Sequence, residues 1–136
     1  MTDIRQVTPD FAVAPQLAPS DMAEAAGRGF KLVINNRPDG EVPDQPTSAQ
    51  MEAAANAAGL AYRYIPVRGG PTPDQAAEQA QAIAEAGGPV LAFCRSGTRS
   101  ITAWSLGQAM AGRRAPDELI ELGAEAGYDL TAVLPG

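Results

Sequence analysis

The sequence predicts an α/β protein with a central, mostly parallel sheet of four to five strands flanked by helices. Three observations carry this expectation. From Phe30 onward, short apolar runs of strand type alternate with helical patterns. Two Thr-x-x-Gln capping boxes, at Thr47 to Gln50 and Thr72 to Gln75, each follow a strand pattern across a polar loop. Gly59 and the pair Gly87, Gly88 then stop the helices those boxes open. Alternation of this kind implies parallel strands joined by right-handed crossovers.

Taken in order, two strand pieces over 4–7 and 11–13 are broken by Pro9. Ser20 is placed to cap a helix that ends near Gly27 or Gly29. Residues 30–35 read as a buried strand, and 36–46, rich in Pro and Gly, as a long loop. A helix runs from Thr47 to about Ala58, a strand over 60–66, and a loop over 67–71. Pro73 takes the first helical position of the next helix, which reaches about Ala86. A strand over 89–93, a tight loop over 94–99 and a helix from Ser100 follow, and Pro116 opens a last helix. No repeat or composition break divides 1–136, so one domain is expected. Asn35, Pro66 and Cys94 stand at carboxyl ends of strands, so the loops 36–46, 67–71 and 94–99 are expected to share one mouth.

The one cysteine, Cys94, opens the stretch Cys94-Arg95-Ser96-Gly97-Thr98-Arg99-Ser100. Backbone N–H groups of a tight loop at a helix entrance converge on an anion, and the helix N-terminus adds positive potential. The same field favours the nucleophilic thiolate form of a cysteine. The planar fork of Arg99 is suited to two oxyanion atoms at once. The loop therefore reads as an anion cradle built around a nucleophile. Gly97 allows close approach of backbone to ligand. Ser96, Thr98 and Ser100 each offer a hydroxyl to the anion or the thiolate, and Ser100, beside Arg99, is the best placed. Arg95 reads as a rim residue.

Composition narrows the partners. A net charge of −6 argues against nucleic acid or an anionic membrane as the main partner. A single Cys forms no internal disulfide, which fits a reducing cytoplasm. No apolar run approaches the roughly 20 residues of a membrane-spanning helix, and the first residues lack the pattern of a signal peptide. The chain has no histidine, and neither a metal nor another cofactor is implied.

The Cys94 loop, together with Val33-Ile34-Asn35-Asn36-Arg37-Pro38-Asp39-Gly40-Glu41 and Ala126-Gly127-Tyr128-Asp129-Leu130, resembles a bacterial family over nearly the whole chain. It is similar to the phosphatase-like domain of β-lactamase-hydrolase-like proteins, whose members are also described as candidate sulfur transferases. The resemblance implies a fold like that of tyrosine and dual-specificity phosphatases, with Cys94 as nucleophile and Arg99 as anion binder. Two features depart from those phosphatases. The spacing is Cys-x4-Arg rather than Cys-x5-Arg, and Phe93 stands where they carry a His. The shorter loop is similar to that of rhodanese-type sulfurtransferases.

Other loop residues are read with alternatives. Asn36, Arg37 and Asp39 border the anion pocket, or Pro38-Asp39-Gly40 is only a turn. Arg68 adds positive potential at the mouth or is a solvated charge. A phosphatase needs an acid for the leaving oxygen. The loop after residue 66 holds no carboxylate before Asp74, so Asp39 is the other candidate. Sulfur transfer needs no such acid. The expected activity is therefore sulfane-sulfur transfer through a Cys94 persulfide, from a small sulfur-containing anion to an acceptor thiol. The alternative is phosphoester hydrolysis through a phosphocysteine, and a third reading is a non-catalytic anion-binding or thiol-sensing module.

Overall fold

The computed structural model describes residues 3–134. Strand β1 (Arg5–Thr8) and β2 (Phe11–Ala14) form an antiparallel hairpin. Helix α1 (Met22–Gly27) and strand β3 (Leu32–Asn35) follow. Then come α2 (Ser48–Ala57), β4 (Ala61–Tyr64), α3 (Pro73–Glu85), β5 (Val90–Phe93), α4 (Thr98–Met110) and α5 (Pro116–Glu125). The strands form one sheet in the order β1-β2-β5-β3-β4, in which only the β1–β2 pair is antiparallel. The predicted mostly parallel sheet is thus what the chain forms.

Both capping boxes close as the sequence predicts. The Thr47 hydroxyl accepts from the Gln50 N–H at 3.1 Å, and the Gln50 amide oxygen accepts from the Thr47 N–H at 2.8 Å. Thr72 and Gln75 repeat this at 3.1 and 2.9 Å. The strands shift by one or two residues at their ends, and two helix starts differ. Ser20 is not a cap: a 3-10 turn over Pro19–Asp21 precedes α1, and the Asp21 carboxylate accepts the Ala18 N–H at 2.7 Å. Helix α4 begins at Thr98 rather than Ser100, because Gly97 takes a left-handed φ of 93° and turns the chain straight into the helix.

The central strands β2, β3 and β5 are buried on both faces, as near-continuous apolar runs require. One face packs Val13, Ile34 and Ala92 against Ile101 and Trp104 of α4 and Leu119 of α5. The other packs Ala12, Val33 and Leu91 against Met22 of α1 and Met51 of α2. Trp104 stacks on Phe11, with ring centroids 5.2 Å apart and planes 8° from parallel, so it is core. Gly107 lets α4 approach α3: a Cβ there would stand 3.0 Å from the Ala76 carbonyl oxygen.

The register decides where function is built. Ala14 pairs with Phe93, Phe93 with Asn35, and Asn35 with Tyr64. The carboxyl ends of four strands are therefore level, and the segments leaving them emerge along one edge. No helix among the described residues is long and apolar enough to cross a membrane.

Candidate active site at the Cys94 loop

Cys94 is the first residue after β5 and is fully buried. The Gly97 N–H donates to its sulfur at 3.1 Å. This N–H belongs to the helix-capping residue of α4, so the sulfur lies at the positive end of a thirteen-residue helix. Gly97 is required twice over. Its φ suits only glycine, and a Cβ there would collide with the Tyr128 hydroxyl. That hydroxyl donates to the Ser96 carbonyl oxygen at 2.8 Å, so a residue beyond α5 buttresses the loop.

Arg99, in the first turn of α4, ties three loops together. Its Nη1 donates to the Val67 carbonyl oxygen at 2.9 Å and to Glu41 Oε2 at 2.7 Å, and its Nη2 donates to Glu41 Oε1 at 2.9 Å. The mouth expected of loops 36–46, 67–71 and 94–99 therefore exists. A fourth segment also reaches it. The Gln16 N–H donates to the Arg95 carbonyl oxygen at 3.2 Å, and Arg37 Nη1 donates to Gln16 Oε1 at 3.0 Å. Arg37 Nε donates to Glu41 Oε1 at 2.8 Å. One carboxylate thus holds two guanidiniums. Hydrogen bonding from Arg99, and then from Arg37, outweighs burial and lowers the Glu41 pKa to about 2. The Arg99 pKa is raised, first by hydrogen bonding to Glu41 and, against the opposing effect of burial, also by the neighbouring Cys94 sulfur.

The remaining candidates divide. The Ser100 hydroxyl is buried in the first turn of α4 with no hydrogen-bond partner among the described residues, which leaves a donor available beside Arg99. It does not cap the helix; Gly97 holds that position. Ser96 and Thr98 are exposed and bonded to each other, with Ser96 Oγ donating to Thr98 Oγ1 at 2.9 Å. Arg95 and Arg68 are both exposed.

Two further candidates are bonded to the fold itself. Asn36 does not face the anion: its amide nitrogen donates to the Ile65 carbonyl oxygen at 2.9 Å and to Gln79 Oε1 at 2.8 Å, so both its hydrogens serve the interior. Asp39 is tied into the fold: Oδ1 accepts the Ser48 N–H at 2.7 Å and its own N–H donates to the Tyr64 hydroxyl at 2.9 Å. Those bonds fasten the loop to α2 and β4. Asp74 is exposed in the first turn of α3. Glu41, which sequence spacing did not single out, is the carboxylate that touches the site. Its only local signal was its place in the Asn36-to-Glu41 stretch. Among the described residues, no group of three or more acidic or cysteine side chains is placed to hold a metal ion.

The chain can now be set beside known proteins. The phosphatase-like domain of the β-lactamase hydrolase-like protein matches residues 3–111. A β-lactamase hydrolase-like protein of Agrobacterium fabrum is 44% identical over 124 residues, which is 90% of this chain and 28% of that protein. A namesake from Xylella fastidiosa is 40% identical over 121 residues, 88% of this chain and 28% of that protein. The chain thus spans less than a third of the length of the curated relatives it matches. Among solved structures, a Neisseria meningitidis protein provisionally named a phosphatase superposes with a TM-score of 0.85 at 32% identity, covering 97% of this chain and 94% of that one. Tk-PTP in its active form gives a TM-score of 0.71 at 22% identity, over 93% of this chain and 86% of that one. Pseudomonas aeruginosa TpbA, solved in complex with phosphotyrosine, gives 0.68 at 13% identity, over 93% and 76%. The last two share the fold, which is that of the protein tyrosine phosphatases.

Proposed function

The chain belongs to the family of the β-lactamase hydrolase-like protein's phosphatase-like domain, and on that footing we propose that it is a cysteine-dependent phosphatase acting on small phosphoesters. One observation carries the reading. On a phosphatase-type fold, the Cys94 sulfur accepts the N–H of the residue that caps α4, and Arg99 stands in the first turn of the same helix.

The steps follow from that geometry. The Cys94 thiolate attacks phosphorus, an S–P bond forms, and the ester P–O bond breaks with its electrons leaving on the alcohol oxygen. Water then attacks the phosphocysteine, the S–P bond breaks, and inorganic phosphate and the thiolate are released. The loop N–H groups and Arg99 stabilise the charge on the non-bridging oxygens. The free Ser100 hydroxyl is available to donate to the departing sulfur. Cys94 is buried, so attack requires the anion to seat in the loop itself.

Among the described residues, the two carboxylates of the loop after β3 that the site's hydrogen bonds reach are both engaged. Glu41 is held ionised, with its pKa at about 2. Asp39 is engaged by Ser48. The preferred esters are therefore those whose leaving group departs as an anion, such as aryl phosphates. The same engagement, with the Cys-x4-Arg spacing, keeps a second reading alive. In it the thiolate attacks the sulfane sulfur of thiosulfate, the S–S bond breaks, sulfite leaves, and an acceptor thiol takes the sulfur from the Cys94 persulfide. The phosphatase-type fold and the named relatives support the phosphoester reading better.

The test compares wild type, Cys94→Ser, Asp39→Asn and Asp74→Asn on p-nitrophenyl phosphate and on an alkyl phosphate. Hydrolysis of the aryl ester is expected to vanish in Cys94→Ser and to change by no more than a few-fold in either Asn variant, against the ~10²–10⁴-fold typical of a lost general acid. Mass spectrometry of Cys94 is expected to show a phosphoryl adduct during turnover. Turnover of thiosulfate with a gain of one sulfur atom, and no ester hydrolysis, sinks the proposal in favour of sulfur transfer.

A further inference from the structure

Two successive carbonyls of the Cys94 loop are gripped from outside. The Arg95 carbonyl oxygen accepts the Gln16 N–H at 3.2 Å, and the Ser96 carbonyl oxygen accepts the Tyr128 hydroxyl at 2.8 Å. The second grip bears directly on the nucleophile. The Ser96 carbonyl and the Gly97 N–H belong to one trans peptide, so they point to opposite sides of it. With the carbonyl drawn out to Tyr128, the N–H is aimed inward at the Cys94 sulfur, 3.1 Å away. The next residue is a glycine at φ of 93°. Glycine takes negative φ as readily as positive. The backbone itself therefore does not resist rotation of the Ser96–Gly97 peptide. Such a rotation would carry the N–H off the sulfur and turn a carbonyl dipole toward the anion.

We propose that Tyr128 is a positioning residue for the nucleophile: its hydroxyl holds the Ser96–Gly97 peptide in the orientation that gives the Cys94 sulfur its N–H donor and keeps the carbonyl out of the cradle. The inference rests on the anion-cradle reading of that loop. The Gln16 grip acts one peptide earlier and leaves this peptide to Tyr128. Tyr128 is itself anchored. Its N–H donates to the Gly123 carbonyl oxygen of α5 at 2.8 Å, and the Arg5 guanidinium of β1 lies over its ring, 5.2 Å from the centroid. A loop peptide is thereby pinned to a helix and a strand rather than to another loop. Burial raises the Tyr128 pKa above its ordinary value, against the opposing effect of Arg5, so the hydroxyl keeps its proton across the neutral range. The charged groups facing the pair are Arg5 and Asp3 from the β1 side and Arg99, paired with Glu41, from the mouth.

The alternative is that Tyr128 only packs the exit of α5 against the sheet. Y128F keeps the ring and removes the donor, Tyr128→p-aminophenylalanine keeps the ring and a donor, and Y128L removes both. Amide hydrogen exchange is followed at Gly97 and, as a report on the stability of the sheet, at Leu91 of β5. Lost packing speeds both amides alike. A lost clamp raises the ratio of the Gly97 rate to the Leu91 rate, by about tenfold in Y128F, the scale of one hydrogen bond. The p-aminophenylalanine variant is expected to return most of the way to wild type. Y128L is expected to show the same ratio as Y128F, and it decides the point if Y128F does not fold. Calorimetry is expected to show inorganic phosphate bound about tenfold more weakly by Y128F than by wild type. A ratio unchanged by loss of the hydroxyl, or phosphate bound by Y128F as tightly as by wild type, overturns the proposal. The exchange ratio needs no ligand, so it decides the role of Tyr128 even where wild type binds phosphate without hydrolysing esters, an outcome that would sink the phosphatase reading alone.

Discussion

A Cβ placed on Gly97 would collide with the Tyr128 hydroxyl and stand 3.0 Å from its Cζ, on a backbone with φ of 93°. The left-handed backbone alone costs a non-glycine residue about 1–3 kcal/mol. Gly97→Ala is therefore expected to lower stability by at least that amount in urea unfolding and to abolish phosphate binding, since the N–H on the Cys94 sulfur moves with it. Tyr128→Phe removes the colliding oxygen together with its bond to the Ser96 carbonyl. The stability cost of Gly97→Ala is therefore expected to be smaller in the Tyr128→Phe background than in the wild type. Equal costs in both backgrounds would mean that the backbone, rather than the collision, sets the penalty. Gly97 was legible as a turn glycine, but its contact with Tyr128 was not, because the two residues lie 31 positions apart.

Among the elements, α3 is coupled to the site through one buried side chain. Gln79 accepts from Asn36 at 2.8 Å and donates to the Ser100 carbonyl oxygen at 3.2 Å, joining the end of β3, helix α3 and the first turn of α4. Asn36 meanwhile holds the Ile65 carbonyl beyond β4. Gln79→Leu keeps most of the volume and removes both bonds, leaving an Asn36 donor buried and unpaired. A loss of about 1–3 kcal/mol is expected, the cost of such an orphaned group. It would be read as a shift in denaturant midpoint at constant m-value. An unchanged midpoint would show that the link does not stabilise the fold. The elements themselves follow closely from local sequence. Both Thr-x-x-Gln boxes close within three residues of their start. Helix α4 starts two residues earlier than its apolar pattern suggests, because a left-handed Gly97 allows the turn to be shorter than polar composition implies.

Over the whole molecule, the Glu41 bridge makes the joining of the loops sensitive to acid. Its pKa falls from 4.5 to about 2 on folding, chiefly through Arg99. A carboxyl group whose folded value is depressed contributes its full stability above the unfolded value and loses it as pH falls through the folded one. Wild type is therefore expected to lose stability between pH 4.5 and about 2 more steeply than E41Q, with a constant offset between the two above pH 4.5. Chemical unfolding midpoints across that range check this. Parallel curves below pH 4.5 would show that the bridge does not contribute to folding.

By itself the sequence determined what depends on near neighbours. The alternation of strands and helices, the two capped helices and the order of groups from Cys94 to Arg99 all rest on patterns a few residues long, where spacing and hydrogen-bond reach coincide. The level carboxyl ends of the strands follow from parallel pairing, so a shared mouth was also predictable. The tertiary structure decided what lies across that mouth. Glu41 meets Arg99 at a separation of 58 residues, Gln79 meets Asn36 at 43, and Tyr128 meets Ser96 at 32. At such distances no periodicity relates the partners, and the sheet order β1-β2-β5-β3-β4 brings them together. The same physics removed Asn36 from the anion site, because a buried amide must satisfy its hydrogens, and the nearest acceptors belong to β4's exit and α3. Which polar residues near a site serve the ligand and which serve the fold is settled by competition for partners, and those partners exist only once the chain has folded.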